Sequence, residues 1–150
     1  MPVSEIKITS ADNNVFVGHD AGTATNTGGE NVGVGHGALE FNTTGTGLVA
    51  VGYQALNANT TASGNTAIGH TAMFANTTGA RNLAIGYQAY DASDTENDNI
   101  AIGYQAMTTN TAGGTANVAV GNYALDALTS GDHNVGVGYD ALTEINTGSN

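Results

Sequence analysis

Short apolar alternations return along the chain at a fixed interval. Val15 and Val17, Val32 and Val34, Leu83 and Ile85, and Ile100 and Ile102 each flank a small or aromatic residue and lead into a glycine. A period of two over three or four residues is a strand signal, and nothing inside the interval repeats at the helical period. Aligned on the glycine that ends each alternation, the chain gives Gly18, Gly35, Gly52, Gly69, Gly86, Gly103, Gly121 and Gly138, spaced by 17, 17, 17, 17, 17, 18 and 17 residues. Eight units follow, beginning at Asn14, Asn31, Leu48, Asn65, Asn82, Asn99, Asn117 and Asn134, with the consensus N-[VT]-A-[VI]-G-Y-Q-A-L-x-A-N-T-T-G-x-x. The one extra residue falls near Ala116, where a bulged corner is expected to leave the register of neighbouring units intact.

Repeats this short cannot bury an apolar face alone and stack on their neighbours instead. The predicted fold is all-β: a parallel β-solenoid, or β-roll, of eight coils of about 17 residues over 14–150, preceded by an N-terminal segment or cap strand over 1–13. In that segment Ile6 and Ile8 alternate. Two short strands per coil are expected, with positions 2 and 4 pointing inward. Position 9 (Leu39, Leu56, Met73, Met107, Leu125, Leu142) and the small position 11 form a second inward pair. Glycine at position 5 suits a sharp turn at positive φ. Proline is missing from every unit, as befits rungs that donate N–H groups to one another. With rungs about 4.8 Å apart, identical side chains form ladders. Asparagine opens seven of the eight units and recurs at Asn42, Asn59, Asn76 and Asn110, followed by threonines. Stacked amides that bond along the axis account for the N-x-T triplets at Asn42, Asn59 and Asn76, which otherwise match a glycosylation acceptor.

Position 3 holds Phe16, Gly33, Ala50, Ala67, Ala84, Ala101, Ala119 and Gly136. Lying between two inward residues, it is expected to face outward. A small apolar stripe there would be an oligomer interface through Gly33, Ala50, Ala67, Ala84, Ala101, Ala119 and Gly136, with closed symmetry favouring a homotrimer or dimer.

Charge changes the list of partners. Thirteen acidic residues stand against Lys7 and Arg81, for a net charge of -11. Nothing is left to neutralise a phosphate backbone, so no nucleic acid is expected, and no apolar run is long enough for membrane insertion. Cysteine is absent, and with it any thiol nucleophile. No G-x-S-x-G elbow, H-E-x-x-H or P-loop lysine occurs, so neither an enzyme nor a cofactor is expected.

Three surface features carry candidate chemistry. Position 6 reads His19, His36, Tyr53, His70, Tyr87, Tyr104, Asn122 and Tyr139. The rings Tyr53, Tyr87, Tyr104 and Tyr139, with Gln54, Gln88 and Gln105 beside them, could stack on sugars and bond their hydroxyls. An aromatic ladder explains the same row without a ligand. His19 and His36 are weak metal candidates, lacking a carboxylate or cysteine at matching positions. Asp91, Asp94, Glu96 and Asp98 share one loop; Asp94, Glu96 and Asp98 are weak cation candidates, without the pattern of a known calcium loop. Finally, the N-T-T runs at 42–44, 59–61 and 76–78 could form an ice-binding plane, though the rows decay at Ser93, Leu128 and Ile145.

The runs N-T-A-I-G-H (65–70), N-L-A-I-G-Y-Q-A (82–89) and N-I-A-I-G-Y-Q-A (99–106) resemble the head repeats of trimeric autotransporter adhesins of the YadA type. They are still more similar to the N-T-A-I-G-Y-Q-A-L arrays of phage tail-fibre proteins. The resemblance covers 14–150, although the unit here is longer than the adhesin-head unit. It implies a homotrimer of left-handed β-rolls, an extracellular location on a virion or cell surface, and a fibre or adhesin role toward a cell-surface glycan or receptor. End-to-end pairing of such chains would give a self-assembling filament.

Overall fold

The computed structural model describes residues 6–9, 12–24, 27–109, 114–144 and 147–148. Their strands form one nine-stranded sheet in chain order: β1 (Ile6–Thr9), β2 (Asn14–Val17), β3 (Val32–Val34), β4 (Val49–Val51), β5 (Thr66–Ile68), β6 (Leu83–Ile85), β7 (Ile100–Ile102), β8 (Val118–Val120) and β9 (Val135–Val137). β1 runs antiparallel to β2, and every later pair is parallel. Each parallel neighbour is reached through one turn of the chain, so the fold is an all-β solenoid of about seven turns. Among the described residues no helix is long and apolar enough to cross a membrane.

The inward and outward faces of the strands are the reverse of the expectation. Ala50, Ala67, Ala84, Ala101 and Ala119 are completely buried, and Gly33 and Gly136 are buried as well. The flanking Val, Leu and Ile are only partly covered. The small residues therefore line the coil interior and offer no surface for an oligomer interface.

The cause is the asparagine at position 1. Asn82 is 2 % exposed; its Nδ2 donates to the Glu96 carbonyl at 2.7 Å, and its Oδ1 accepts the Asn99 N–H of the next rung at 2.9 Å. Asn14, Asn31, Asn99, Asn117 and Asn134 make the matching bond from Nδ2 to the last corner of their own coil, between 2.6 and 2.9 Å. Such a side chain must point inward. Strand side chains alternate, so position 3 points inward too and positions 2 and 4 point out. Across a coil narrow enough for one asparagine to close, position 3 is Ala or Gly in every coil but the first, which holds Phe16.

The remainder of the core also differs from the expectation in part. Position 9 is buried as foreseen at Leu39, Leu56, Met73, Met107 and Leu125. Its partner inside is position 8 (Ala38, Ala55, Ala72, Ala89, Ala106, Ala124), not position 11, which stays half-buried or exposed. Each coil carries one strand rather than two. The opposite side is a run of turns in which positions 7 and 9 are left-handed, as at Gln54 (φ 51) and Leu56 (φ 49). The alternating handedness aims successive N–H groups at different neighbours: Gln54 N donates down to His36 O at 2.8 Å, and Leu56 N donates up to Ala72 O at 3.1 Å. At position 5, Gly69 has φ 140, and a Cβ there would lie 2.2 Å from the Gly86 carbonyl oxygen. Both the conformation and the stack require glycine.

The second asparagine ladder forms at position 12. Asn59 Nδ2 donates to Asn42 Oδ1 at 2.8 Å, and Asn76 Nδ2 to Asn59 Oδ1 at 3.2 Å. All three are fully buried, so the N-x-T triplets present no accessible amide in the folded chain. In the next coil Ser93 turns its hydroxyl to the Tyr90 carbonyl, and Asn76 Oδ1 is left without a partner. Asn110 and Ile145 lie outside the described residues.

At the first rung Phe16 fills the end of the interior. It fits because Gly22 and Gly33 lie against it: a Cβ on either would come within 2.6 and 2.8 Å of the ring. β1 covers the edge, and Lys7 extends over the Phe16 ring, 5.9 Å from its centroid. The extra residue of the 18-residue unit falls between Met107 and Gly114. It therefore precedes Gly114 instead of lying near Ala116 as expected: the Asn99 amide reaches the Gly114 carbonyl at 2.9 Å, and β7 pairs with β8 without a shift, so the register is kept as foreseen.

Two outcomes test this reading. Replacing Asn82 with Ala strands the Asn99 N–H and the Glu96 carbonyl inside the coil and is expected to cost about 2–4 kcal/mol in chemical denaturation. His133 occupies position 17 at φ 61, where repeats two and three have Gly47 and Gly64. His133→Gly removes a left-handed Cβ and is expected to gain about 0.5–1 kcal/mol in the same measurement.

Candidate functional site

Stacking turns position 6 into one exposed aromatic column. His19, His36, Tyr53, His70, Tyr87 and Tyr104 lie ring on ring, with centroids 4.8 to 5.3 Å apart and planes within 9 to 19°. Rung spacing sets the distance, and the shared backbone conformation sets the parallel planes. Repeat seven carries Asn122 at position 6, whose Oδ1 accepts the Tyr104 N–H at 2.9 Å. Tyr123, one residue on, continues the column edge-on to Tyr104 and Tyr139 at 5.4 and 6.0 Å. Burial against those neighbours, then their own phenols, pushes the Tyr123 hydroxyl above its ordinary pKa.

The residues foreseen as a sugar-binding row are thus brought together, but the geometry changes what they can do. Stacking on a sugar needs a free ring face, and between rungs each face is covered by the next ring. What the column presents is its edge: Tyr53, Tyr87 and Tyr104, residues each 40 to 44 % exposed, with an amide row beside them. In that row Gln105 Nε2 donates to Gln88 Oε1 at 2.8 Å. The edge can hydrogen-bond a ligand lying along the axis but cannot sandwich it.

The second surface feature is the outer face of the sheet. Positions 2 and 4 from β2 to β9 are Val, Ile or Leu at every place except Thr66. The face continues onto β1, where Ile6 and Ile8 lie opposite Val17 and Val15 and are each 69 % exposed. The columns run across all nine strands without a charge, in a chain of net charge -11. Sequence reasoning missed this face because it sent the β-branched residues inside.

The acidic loop of repeat five does not converge. Asp94 accepts the Thr77 hydroxyl, Glu96 accepts the N–H groups of Asp94 and Thr95 at 2.9 and 3.1 Å, and Asp98 holds Arg81 through two bonds of 2.7 Å. The guanidinium holds the Asp98 carboxyl below its ordinary pKa. Asp91, half-buried beside them, is raised, chiefly by burial. His19 and His36, by contrast, do have a carboxylate nearby: Asp20 Oδ2 is 2.7 Å from His19 Nδ1. The signal was available in the sequence as the neighbouring residue, and was overlooked because carboxylates were sought only at matching positions of other rungs. Of the threonine runs, Thr44, Thr61 and Thr78 are exposed, and Thr27 and Thr95 extend this row to five rungs.

No family model, curated protein or solved structure matches this chain.

Because the Asp91 pKa is raised on folding, its cost is absent below the unfolded value of 3.8 and complete above the folded one. Asp91→Asn is therefore expected to raise the unfolding midpoint at pH 7, with the difference from the parent vanishing as the pH falls below 3.8.

Proposed function

We propose that this chain is a structural fibre or adhesin segment, built as eight left-handed coils that associate as a homotrimer through the outer face of the sheet. The observation that carries the reading is that uncharged face. It is roughly 38 Å long and about 10 Å wide, on the order of 400 Å², comparable with the largest apolar patches that monomers leave exposed. A second copy is the occupant it fits. Every position is apolar or Thr66, and a closed three-fold arrangement turns the same face of each chain toward one axis. An unrelated acidic or basic partner would find no charge to pair with there.

The resemblance of N-L-A-I-G-Y-Q-A and N-I-A-I-G-Y-Q-A to adhesin-head and tail-fibre repeats supports the same reading, as does the repetitive scaffold. In it, the aromatic edge and the glutamine row point away from the trimer axis, where a cell-surface glycan or receptor would be met on a virion or cell exterior. The exposed threonine row at position 14 covers five rungs, Thr27, Thr44, Thr61, Thr78 and Thr95, and has given way to Ser130 by the seventh, too short a plane to favour ice binding.

Sedimentation of the 15.0 kDa chain tests the proposal. The expected mass is three times that of one chain, falling to that of a monomer when Ile85 and Ile102 are both replaced by Glu, with the β-sheet circular dichroism retained. A monomeric parent, or a trimer that survives the double replacement, would overturn it. Electron microscopy of the same sample separates discrete trimers from end-to-end filaments.

A further inference from the structure

The capped end of the solenoid holds three metal-ligating side chains that the fibre reading does not use. One donor atom each from His19, Asp20 and His36 lies within 4.8 Å of the other two, and all three residues are at least partly exposed. We propose that these residues form a binding site for a borderline divalent transition-metal ion such as Zn²⁺, joining the first two rungs.

The geometry favours this set over any other pair of rings in the column. Borderline metals take imidazole nitrogen and carboxylate oxygen, at about 2.0–2.2 Å, which places neighbouring donors about 3.0–3.4 Å apart. His19 Nδ1 and Asp20 Oδ2 are already 2.7 Å apart, so a metal ion can replace the proton between them with a small opening of the pair. His36 stacks on His19 at 5.1 Å and 18°. Its lone pair lies in the ring plane and reaches the same ion when the exposed ring tilts about its last torsion. Elsewhere in the column a tyrosine separates His36 from His70.

Position 7 supplies the other half of the argument. Its residues are left-handed, Asp20 at φ 58 and Gln105 at φ 51 among them, and the bond from Gln105 to Gln88 places this row beside the rings. In the first coil that row holds a carboxylate, Asp20, and in the second it holds Gly37. Two histidines and a carboxylate thus coincide on two adjacent rungs. The remaining positions on the ion are open to water, and the net charge of -11 draws cations toward the surface.

Titration of the whole chain with ZnCl₂ by calorimetry tests the site, with thermal unfolding as a second reading. Saturable binding of one Zn²⁺ per chain is expected, at least tenfold weaker in His36→Ala and in Asp20→Asn, and unchanged in His70→Ala. Zn²⁺ should raise the unfolding temperature of the parent and of His70→Ala but not of Asp20→Asn. Any of three results would sink the idea: no saturation below about 1 mM Zn²⁺, affinity unaffected by both His36→Ala and Asp20→Asn, or one ion shared among several chains. None of these outcomes depends on whether the chain trimerises.

Discussion

The asparagine that opens each repeat is the constraint from which the rest follows. One side chain closes its own coil by donating to the final corner and links two coils by accepting the next backbone N–H, as Asn117 does with Gly131 at 2.8 Å and Asn134 at 2.8 Å. Both bonds are buried, where leaving a polar group unpaired is expensive. They fix the width of the coil. From the width come alanine at positions 3 and 8 and glycine where backbones meet, and from the strand period comes the exclusion of the branched residues to the outside. Repeat three makes the point by exception: Leu48 replaces the asparagine, and Ala62 replaces the glycine at the matching corner, both buried.

The repeat length, the parallel stack, the register across the longer unit and the asparagine ladders were all legible in the sequence, because each depends only on identical residues meeting at identical places. The direction of the strand faces was not. Hydrophobicity ranks Val and Ile above Ala for burial, and that ranking fails where interior width rather than transfer energy decides. The residue that settles the question is polar: once Asn82 is assigned inside, Leu83 and Ile85 must be outside. The turn-rich side was illegible for a different reason. Its left-handed positions are filled by Gln54, Leu56, Thr71 and Met73, types that carry no turn signal of their own and are held there by the bonds to the rungs on either side.

The alignment of the aromatic row and its glutamines into columns was legible in the sequence, but not their orientation to one another. Parallel stacking is a property of the repeat as a whole and cannot be seen in one unit. It converts six separate ring faces into a single continuous edge, so that recognition by the column shifts from stacking to hydrogen bonding. The metal-ligating cluster shows the opposite situation, since Asp20 adjoins His19 in the chain and only the left-handed backbone at position 7 brings its carboxylate alongside the ring.

Phe16 gives the array a defined beginning. Its ring occupies space that Gly22 and Gly33 leave open, one in its own coil and one in the next, so the first two repeats are matched to each other and to no others. Units from the third onward all carry Ala or Gly at position 3 and Ala at position 8, so their backbones stack alike even where Leu48 or Tyr90 replaces the usual residue. Duplication or loss of repeats can therefore lengthen or shorten such a rod from the third unit on while the starting pair stays fixed, and the length of the rod can vary independently of its origin.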